Sequence, residues 1–288
     1  MTVAEALQWG AGQLTEGGIP NAAGDARWLL ADALGVEPMR ITLMAADPVA
    51  AEKLQQFQAH IAARQQYQPV AQIIGHRMFY GRRFRVTPDV LDPRPDTETL
   101  IEVALQAAFR RVLDLGVGSG CILLTLLAEQ PDATGTGTDI SDKALAVARQ
   151  NMTDLGLSDR ARLVQSDWLT HIEGVFDLIV SNPPYISTAE MADLSPDVTD
   201  WEPHVALTPG GDGLDAYRII TRHAADYLTP GGRLIVEIGA GQGDAVRILF
   251  QNAKLDDIVI HSDLDGRDRV VSGKIGKKIW KTSEKAQL

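Results

Sequence analysis

Residues 111 to 129 constrain the fold of this chain more than any other stretch. Arg111-Val-Leu-Asp-Leu115 reads as a short buried strand, Gly116-Val117-Gly118-Ser119-Gly120 as a loop with almost no side-chain bulk, and Cys121 to Glu129 as an apolar helix. A strand that feeds a glycine loop into a helix N-terminus opens a nucleotide-type site, because the missing side chains let a ligand lie against the backbone. The loop is not a dinucleotide fingerprint: its third glycine comes one residue early, and Cys121 stands where Gly-x-Gly-x-x-Gly needs glycine. No Gly-Lys-Ser/Thr follows either, so a pyrophosphate is not the expected ligand. The next strand, Ala133 to Asp139, ends in an acid about 20 residues beyond the loop, the spacing that brings a carboxylate onto ribose hydroxyls. A third strand, Arg162 to Gln165, runs into Ser166-Asp167-Trp168, whose acid and indole suit the edge and face of an adenine.

Further strands alternate with helical stretches such as Ser141 to Leu155 and Leu214 to Leu228, which predicts a parallel α/β sheet with helices on both faces. Asp265-Gly266, between Ile258-Val-Ile260 and Arg269-Val-Val271, instead signals a tight hairpin, so the last strand is expected to be antiparallel. Residues 1 to 68 carry helical punctuation. Asn21 is placed to cap a run holding Trp28, Leu29, Leu30, Ala33 and Leu34 that Gly35 ends, and Asp47-Pro48 to open another with Leu54, Phe57 and Ile61 on one face. A small helical bundle is expected there. Residues 69 to 92, with Phe79, Gly81, Phe84, Val86 and Val90, read as a β-hairpin connector, and the sheet domain as residues 93 to 288.

The strand Phe176 to Ser181 stops at Asn182-Pro183-Pro184-Tyr185. Two prolines remove two backbone donors and fix two φ angles, so the chain leaves the sheet in a rigid turn. The turn offers backbone carbonyls, the planar amide of Asn182 and the aromatic face of Tyr185, a set of acceptors over a stacking surface suited to a planar NH2 group.

In this order, the residues resemble the class I S-adenosylmethionine-dependent methyltransferases. Asp114-Leu-Gly-x-Gly-Ser-Gly120 is similar to their methionine-binding loop, Asp139 to their ribose acid, and Asp167-Trp168 to their adenine-side pair. Asn182-Pro-Pro-Tyr185 resembles the motif of members that methylate a planar nitrogen, either the adenine amine or the glutamine amide. Pro69-Val-Ala-Gln-Ile-Ile-Gly75, Phe79 and Val90-Leu-Asp-Pro-Arg94-Pro95-Asp96-Thr97-Glu98 resemble the glutamine methyltransferases of peptide-chain release factors, as do Glu202-Pro203, Asp212-Gly213-Leu214 and Leu234-Ile-Val-Glu237-Ile-Gly239 with Gln242. The chain departs from that pattern at Asp92, where the family usually has an aliphatic residue, and in a polar tail from Lys274 to Leu288.

The resemblance implies a Rossmann-like class I sheet and S-adenosylmethionine as cofactor. Gly116, Val117, Gly118, Ser119, Gly120, Asp139, Asp167, Trp168 and Asn182 would contact that cofactor. Asn182 and Pro183 would do the catalytic work, with Pro184 and Tyr185 completing the substrate site. It also implies class-1 release factors as partners, methylated on the glutamine of their Gly-Gly-Gln motif, with the N-terminal helical domain recognising them.

Composition narrows the alternatives. Twenty-seven basic against 38 acidic residues leave a net charge of −11, which weakens attraction to nucleic-acid phosphates and disfavours a DNA adenine methyltransferase. A glutamine methyltransferase of a ribosomal protein stays closer, and an intact Asn182-Pro-Pro-Tyr185 disfavours a purely regulatory cofactor-binding protein. The single cysteine, Cys121, reads as a packing residue in a reducing compartment. The six histidines lack metal-ligand spacing, so no metal is expected. No basic-then-apolar leader and no run near about 18 apolar residues is visible, which predicts a cytoplasmic protein with no membrane partner. A second loop, Gly239-Ala240-Gly241-Gln242-Gly243 with Asp263 beyond it, has similar spacing and rivals the first. The first is favoured, because a doubly wound sheet binds ligands where its strand order reverses. Arg94 to Glu98 has two readings: Asp96 as a helix N-cap, or the segment as a cofactor contact.

Overall fold

Buried valine, leucine and isoleucine on both faces make the central strands of a seven-stranded sheet, seen in a computed structural model that describes residues 1–276. The strands in chain order are β1 (His76–Phe79), β2 (Arg82–Arg85), β3 (Arg111–Leu115), β4 (Thr134–Asp139), β5 (Ala161–Gln165), β6 (Phe176–Ser181), β7 (Leu228–Glu237), β8 (Leu255–Ser262) and β9 (Asp268–Ile275). Their order in the large sheet is β5-β4-β3-β6-β7-β9-β8. The pairs from β5 through β7 are parallel, and β9 lies antiparallel to both β7 and β8. The expected parallel sheet with an antiparallel last strand is therefore what forms.

Strand order reverses at β3, since β4 and β5 continue to one side while β6 and β7 continue to the other. Leu115 pairs with Ser181 in register, and the Ser181 hydroxyl donates to the Leu115 carbonyl at 2.7 Å. Gly116 and Asn182 are thus the next residues off two adjacent strands, at the switch point where α/β sheets bind ligands. Leu115 also pairs with Thr138, which puts Asp139 on the other flank of the loop.

The chain divides into two compact units. One comprises Met1–His76, Val86–Pro88 and Leu194–Glu202; the other comprises Arg77–Arg85, Asp89–Asp193 and the chain from Pro203 onward. The first unit is built on helices Val3–Glu16, Ala22–Leu34 and Ala51–Gln65, with Leu14, Leu29, Leu30, Phe57 and Ile61 buried between them. Thr2 and Glu5 close the first helix in a reciprocal capping box. Asn21 stands at the second helix's N-cap position, but its amide turns to the Asp25 carboxylate at 3.3 Å rather than to a backbone N–H. Asp25 in turn receives the buried Arg64 at 2.7 Å. The third helix starts at Ala51, not at Asp47-Pro48. The Asp47 carbonyl accepts from Val3 and the Val49 N–H donates to Met1, which ties this segment to the chain's first residues rather than into a helix.

The segment from residue 69 is only partly strand. Val70–Ile74 is a helical turn ended by left-handed Gly75, and the hairpin narrows to β1 and β2. Its two turn residues, Tyr80 and Gly81, both have positive φ, the twist that a two-residue hairpin favours. Asp96 does not cap a helix. Pro95–Thr97 forms a 3₁₀ turn, the helix Glu98–Leu105 starts after it, and the Asp96 carboxylate pairs with Arg269 at 3.0 Å. That helix is closed at its other end by buried Arg233, which donates to the carbonyls of Val103, Ala104 and Ala107. Of the polar tail from Lys274, the first two residues belong to β9, and residues 277–288 lie outside the described residues. Among the described residues no helix is long and apolar enough to cross a membrane.

Candidate active site

The glycine loop is shaped by backbone demands before any ligand is considered. Gly116 and Gly118 hold φ of +75° and +51°, and nothing lies within 4 Å of where a Cβ would stand. The backbone is therefore bare on that side. Gly116 and Val117 donate to the Thr138 carbonyl, and Gly118 donates to Asp139 Oδ2 at 2.9 Å. Asp139 Oδ1 accepts from the Ser141 backbone at 2.9 Å, and burial pushes the carboxyl above its ordinary pKa. Each of its oxygens keeps a further lone pair. On the loop's other side buried Asn151 donates to the Ser119 carbonyl at 2.8 Å and brackets Arg85 with both ends of its amide.

The glycine loop and Asp139 face a cavity of about 470 Å³. Gly116, Val117, Gly118, Ser119, Asp139, Asp167, Trp168, Asn182 and Pro184 line it, so the structure brings both sequence motifs to one space. Gly120, Pro183 and Tyr185 do not line it. Gly120 is the N-cap of the Cys121–Glu129 helix. Tyr185 packs into the core on the β7 side with its hydroxyl hydrogen-bonded to Glu237. Burial pushes the Cys121 thiol up to about 12, which suits packing rather than thiolate chemistry.

Several lining residues were not legible from the motifs. Ile140, 54% exposed directly after β4, adds an apolar side chain to the cavity lining. Its signal was a bare isoleucine directly after the ribose-type acid. Arg94 and Thr97 line the cavity, as does Asp92, which is buried with Arg77 3.7 Å away. Burial raises the Asp92 pKa, against the attraction of Arg77 and Arg94. The acid at the family's aliphatic position is thus buried with Oδ1 lacking a hydrogen-bond partner and only a long ion pair to Arg77.

The rival loop has a different task. Gln242 donates to the Tyr185 carbonyl at 2.8 Å and accepts from the Gly239 backbone at 3.1 Å, so this loop braces the Asn-Pro-Pro-Tyr turn from behind. Gly213 closes the same brace, because a Cβ there would collide with the Tyr185 carbonyl oxygen at a φ of +78°. Asp263 accepts from the Asp265 and Arg267 backbones and receives Arg269, so its carboxylate organises the β8–β9 turn.

A buried carboxylate sits beneath the turn. Glu237, 1% exposed at the end of β7, takes hydrogen bonds from Thr97 and Tyr185. Burial pushes it up to about 7, against those hydrogen bonds and the attraction of Arg269, with Asp96 adding to the rise. Its unfolded reference is 4.5, so between roughly pH 4.5 and 7 the folded chain keeps a proton that the unfolded chain releases. On that account stability falls as pH rises through this window and is flat above it. Glu237→Gln is expected to flatten this part of the profile and to gain relative stability above pH 7, measured by denaturant midpoints across pH. A variant whose profile parallels the parent's would contradict the burial account.

The cavity fits S-adenosylmethionine on its own chemistry. A bare glycine backbone suits an amino-acid moiety, a carboxylate with spare lone pairs suits a ribose diol, and an acid beside an indole suits an adenine. Buried Asp114 Oδ1 and Thr138 Oγ1, at the strand ends behind the loop, also lack a protein hydrogen-bond partner. Among the described residues no group of three or more histidine, cysteine or acidic side chains could hold a metal.

Curated relatives agree with this geometry over nearly the whole chain. A release factor glutamine methyltransferase of Cereibacter sphaeroides is 54% identical over 275 residues, covering 96% of this chain and 99% of the relative. This chain belongs to the release factor glutamine methyltransferase family. Another member, from Geobacter sulfurreducens, is 41% identical and covers 96% of this chain and 97% of its own. A model of the PrmC N-terminal domain matches residues 5–75, and a model of the methyltransferase small domain matches residues 90–199. Among solved structures, a methyltransferase from Pyrococcus furiosus aligns with a TM-score of 0.53 at 16% identity, covering 69% of this chain and 91% of that one. That likeness supports the class I methyltransferase fold alone.

Proposed function

We propose that this chain transfers a methyl group from S-adenosylmethionine to the side-chain amide nitrogen of the Gly-Gly-Gln glutamine of class-1 peptide chain release factors. The observation that carries the reading is the placement of Asn182 beside the glycine loop, both lining one cavity. When bound, S-adenosylmethionine supplies a methyl group activated by the positive charge of its sulfonium.

An amide nitrogen is a poor nucleophile, because its lone pair is delocalised into the carbonyl. The chain's contribution is therefore placement and charge stabilisation. Asn182 Oδ1, on the cavity wall, would accept one hydrogen of the substrate amide, and the carbonyl of Pro183, next along the turn but outside the cavity lining, the other, fixing the nitrogen and stabilising the positive charge it develops. No strong base is required before transfer. Pro184 keeps the turn stiff, and the brace from Gln242 and Gly213 holds its far end. Gly116 to Ser119, Asp139, Asp167 and Trp168 would hold the cofactor. A substrate of translation termination goes with a cytoplasmic location, and the net charge of −11 with a protein partner rather than nucleic acid.

The test is mass spectrometry of purified release factor after incubation with the chain and methyl-labelled cofactor. Label on the Gly-Gly-Gln glutamine is expected. Label on a ribosomal protein or on DNA adenine instead would overturn the reading. Recognition of the folded partner is assigned to the N-terminal helical region, because one flexible glutamine gives the pocket little surface to grip. Removing residues 1 to 68 should leave cofactor affinity intact and raise KM for whole release factor about tenfold or more, while KM for a short glutamine peptide changes much less. Equal efficiency on whole release factor would remove that role.

A further inference from the structure

Thr97 lies in the Arg94–Glu98 segment, is 2% exposed, and touches both Glu237 and Asn182. A hydroxyl has one proton to donate, and above about pH 7, where Glu237 is ionised, that carboxylate only accepts. The Thr97 proton therefore goes to Glu237. Its oxygen is left as an acceptor, and the Asn182 amide can meet an acceptor only with its NH2 end, seen as Asn182 Nδ2 donating to Thr97 Oγ1 at 3.4 Å. The reversed amide would set oxygen against oxygen.

We propose that Thr97 is a positioning residue which, with Glu237 as its acceptor, fixes the polarity of the Asn182 amide so that Oδ1 is the end offered to the substrate. This rests on the function proposed above. A primary amide of the substrate brings two donors, so an Asn182 presenting its own NH2 would meet donor with donor and lose the contact that orients the nitrogen. On the acceptor side Glu237 Oε2 has no hydrogen-bond partner, so its contacts fall on the other oxygen. Tyr185 also donates to Glu237, and Arg269, itself paired with Asp96 and Asp263, attracts it. The glycine loop and Asp139, which are proposed to carry most of the cofactor contacts, make no hydrogen bond to Thr97 or Glu237.

The experiment compares Thr97→Val with Thr97→Ser, alone and in an Asn182→Ala background, using full-length chain and whole release factor well above pH 7, where Glu237 is ionised. Thr97→Val is expected to lower kcat about tenfold or more with cofactor affinity by calorimetry unchanged, as for a contact made in the transition state. Thr97→Ser keeps the hydroxyl and should stay near the parent. Because Thr97 acts through Asn182, Thr97→Val should slow the Asn182→Ala enzyme no further. If Thr97→Val does not fold, Thr97→Ala carries the same expectations. Parent-like kcat in the Val or Ala variant, a Ser variant as slow as Val, or an undiminished effect in the Asn182→Ala background would each overturn the relay. A parent chain that leaves the release-factor glutamine unmethylated would instead overturn the functional reading.

Discussion

Asn182→Ala is expected to lower turnover on release factor by on the order of 10²-fold or more, with cofactor affinity and folding retained. The size follows from what the side chain does. A neutral hydrogen bond that existed equally in the ground state would change KM more than kcat, whereas an acceptor aimed at developing positive charge acts on kcat. Folding should persist because Asn182 is only half-buried, and its side-chain bond to Thr97 is long at 3.4 Å. The turn keeps its prolines and its brace from Gln242. Single-turnover rates with labelled cofactor, alongside calorimetric cofactor binding, measure the two quantities separately. A soluble Ala variant with near-parent turnover would reduce Asn182 to a strand terminator.

What the sequence made legible was contiguous. The glycine loop, Asp139, Asp167-Trp168 and Asn182-Pro-Pro-Tyr185 each carry their chemistry in a few neighbouring residues at a strand end, where strand periodicity stops and punctuation begins. The Thr97–Glu237–Tyr185 network was not legible, because its members come from a 3₁₀ turn, the end of β7 and the turn after β6. Only the fold joins them. The same limit explains Asp96, whose helix-cap reading was sound locally but ignored Arg269, a residue far along the chain that takes its carboxylate. The second glycine loop had the right spacing for a cofactor and a different partner in space: the Asn-Pro-Pro-Tyr turn. Spacing fixes which residues share an element's end. It does not fix what lies opposite that end.

That distinction is open to direct measurement, since both glycine loops have an acid at comparable spacing. Asp139→Ala is expected to weaken cofactor binding by roughly 1.5 to 3 kcal/mol, the range of a hydrogen bond to a charged group, or roughly tenfold to somewhat over a hundredfold in Kd. Two effects combine in that figure. The spare lone pairs that would meet the ribose are lost, and so are the acceptors for the Gly118 and Ser141 amides that hold the loop open beside them. Asp139→Asn, which keeps one carboxyl-type oxygen, should fall between the parent and Ala. Asp263→Ala should loosen the β8–β9 turn and release Arg269, lowering stability while leaving cofactor Kd near the parent value. Calorimetry on the three variants decides the matter. If Asp263→Ala weakens the cofactor and Asp139→Ala does not, the site moves to the second loop, and the bare backbone at Gly116 and Gly118 needs another ligand.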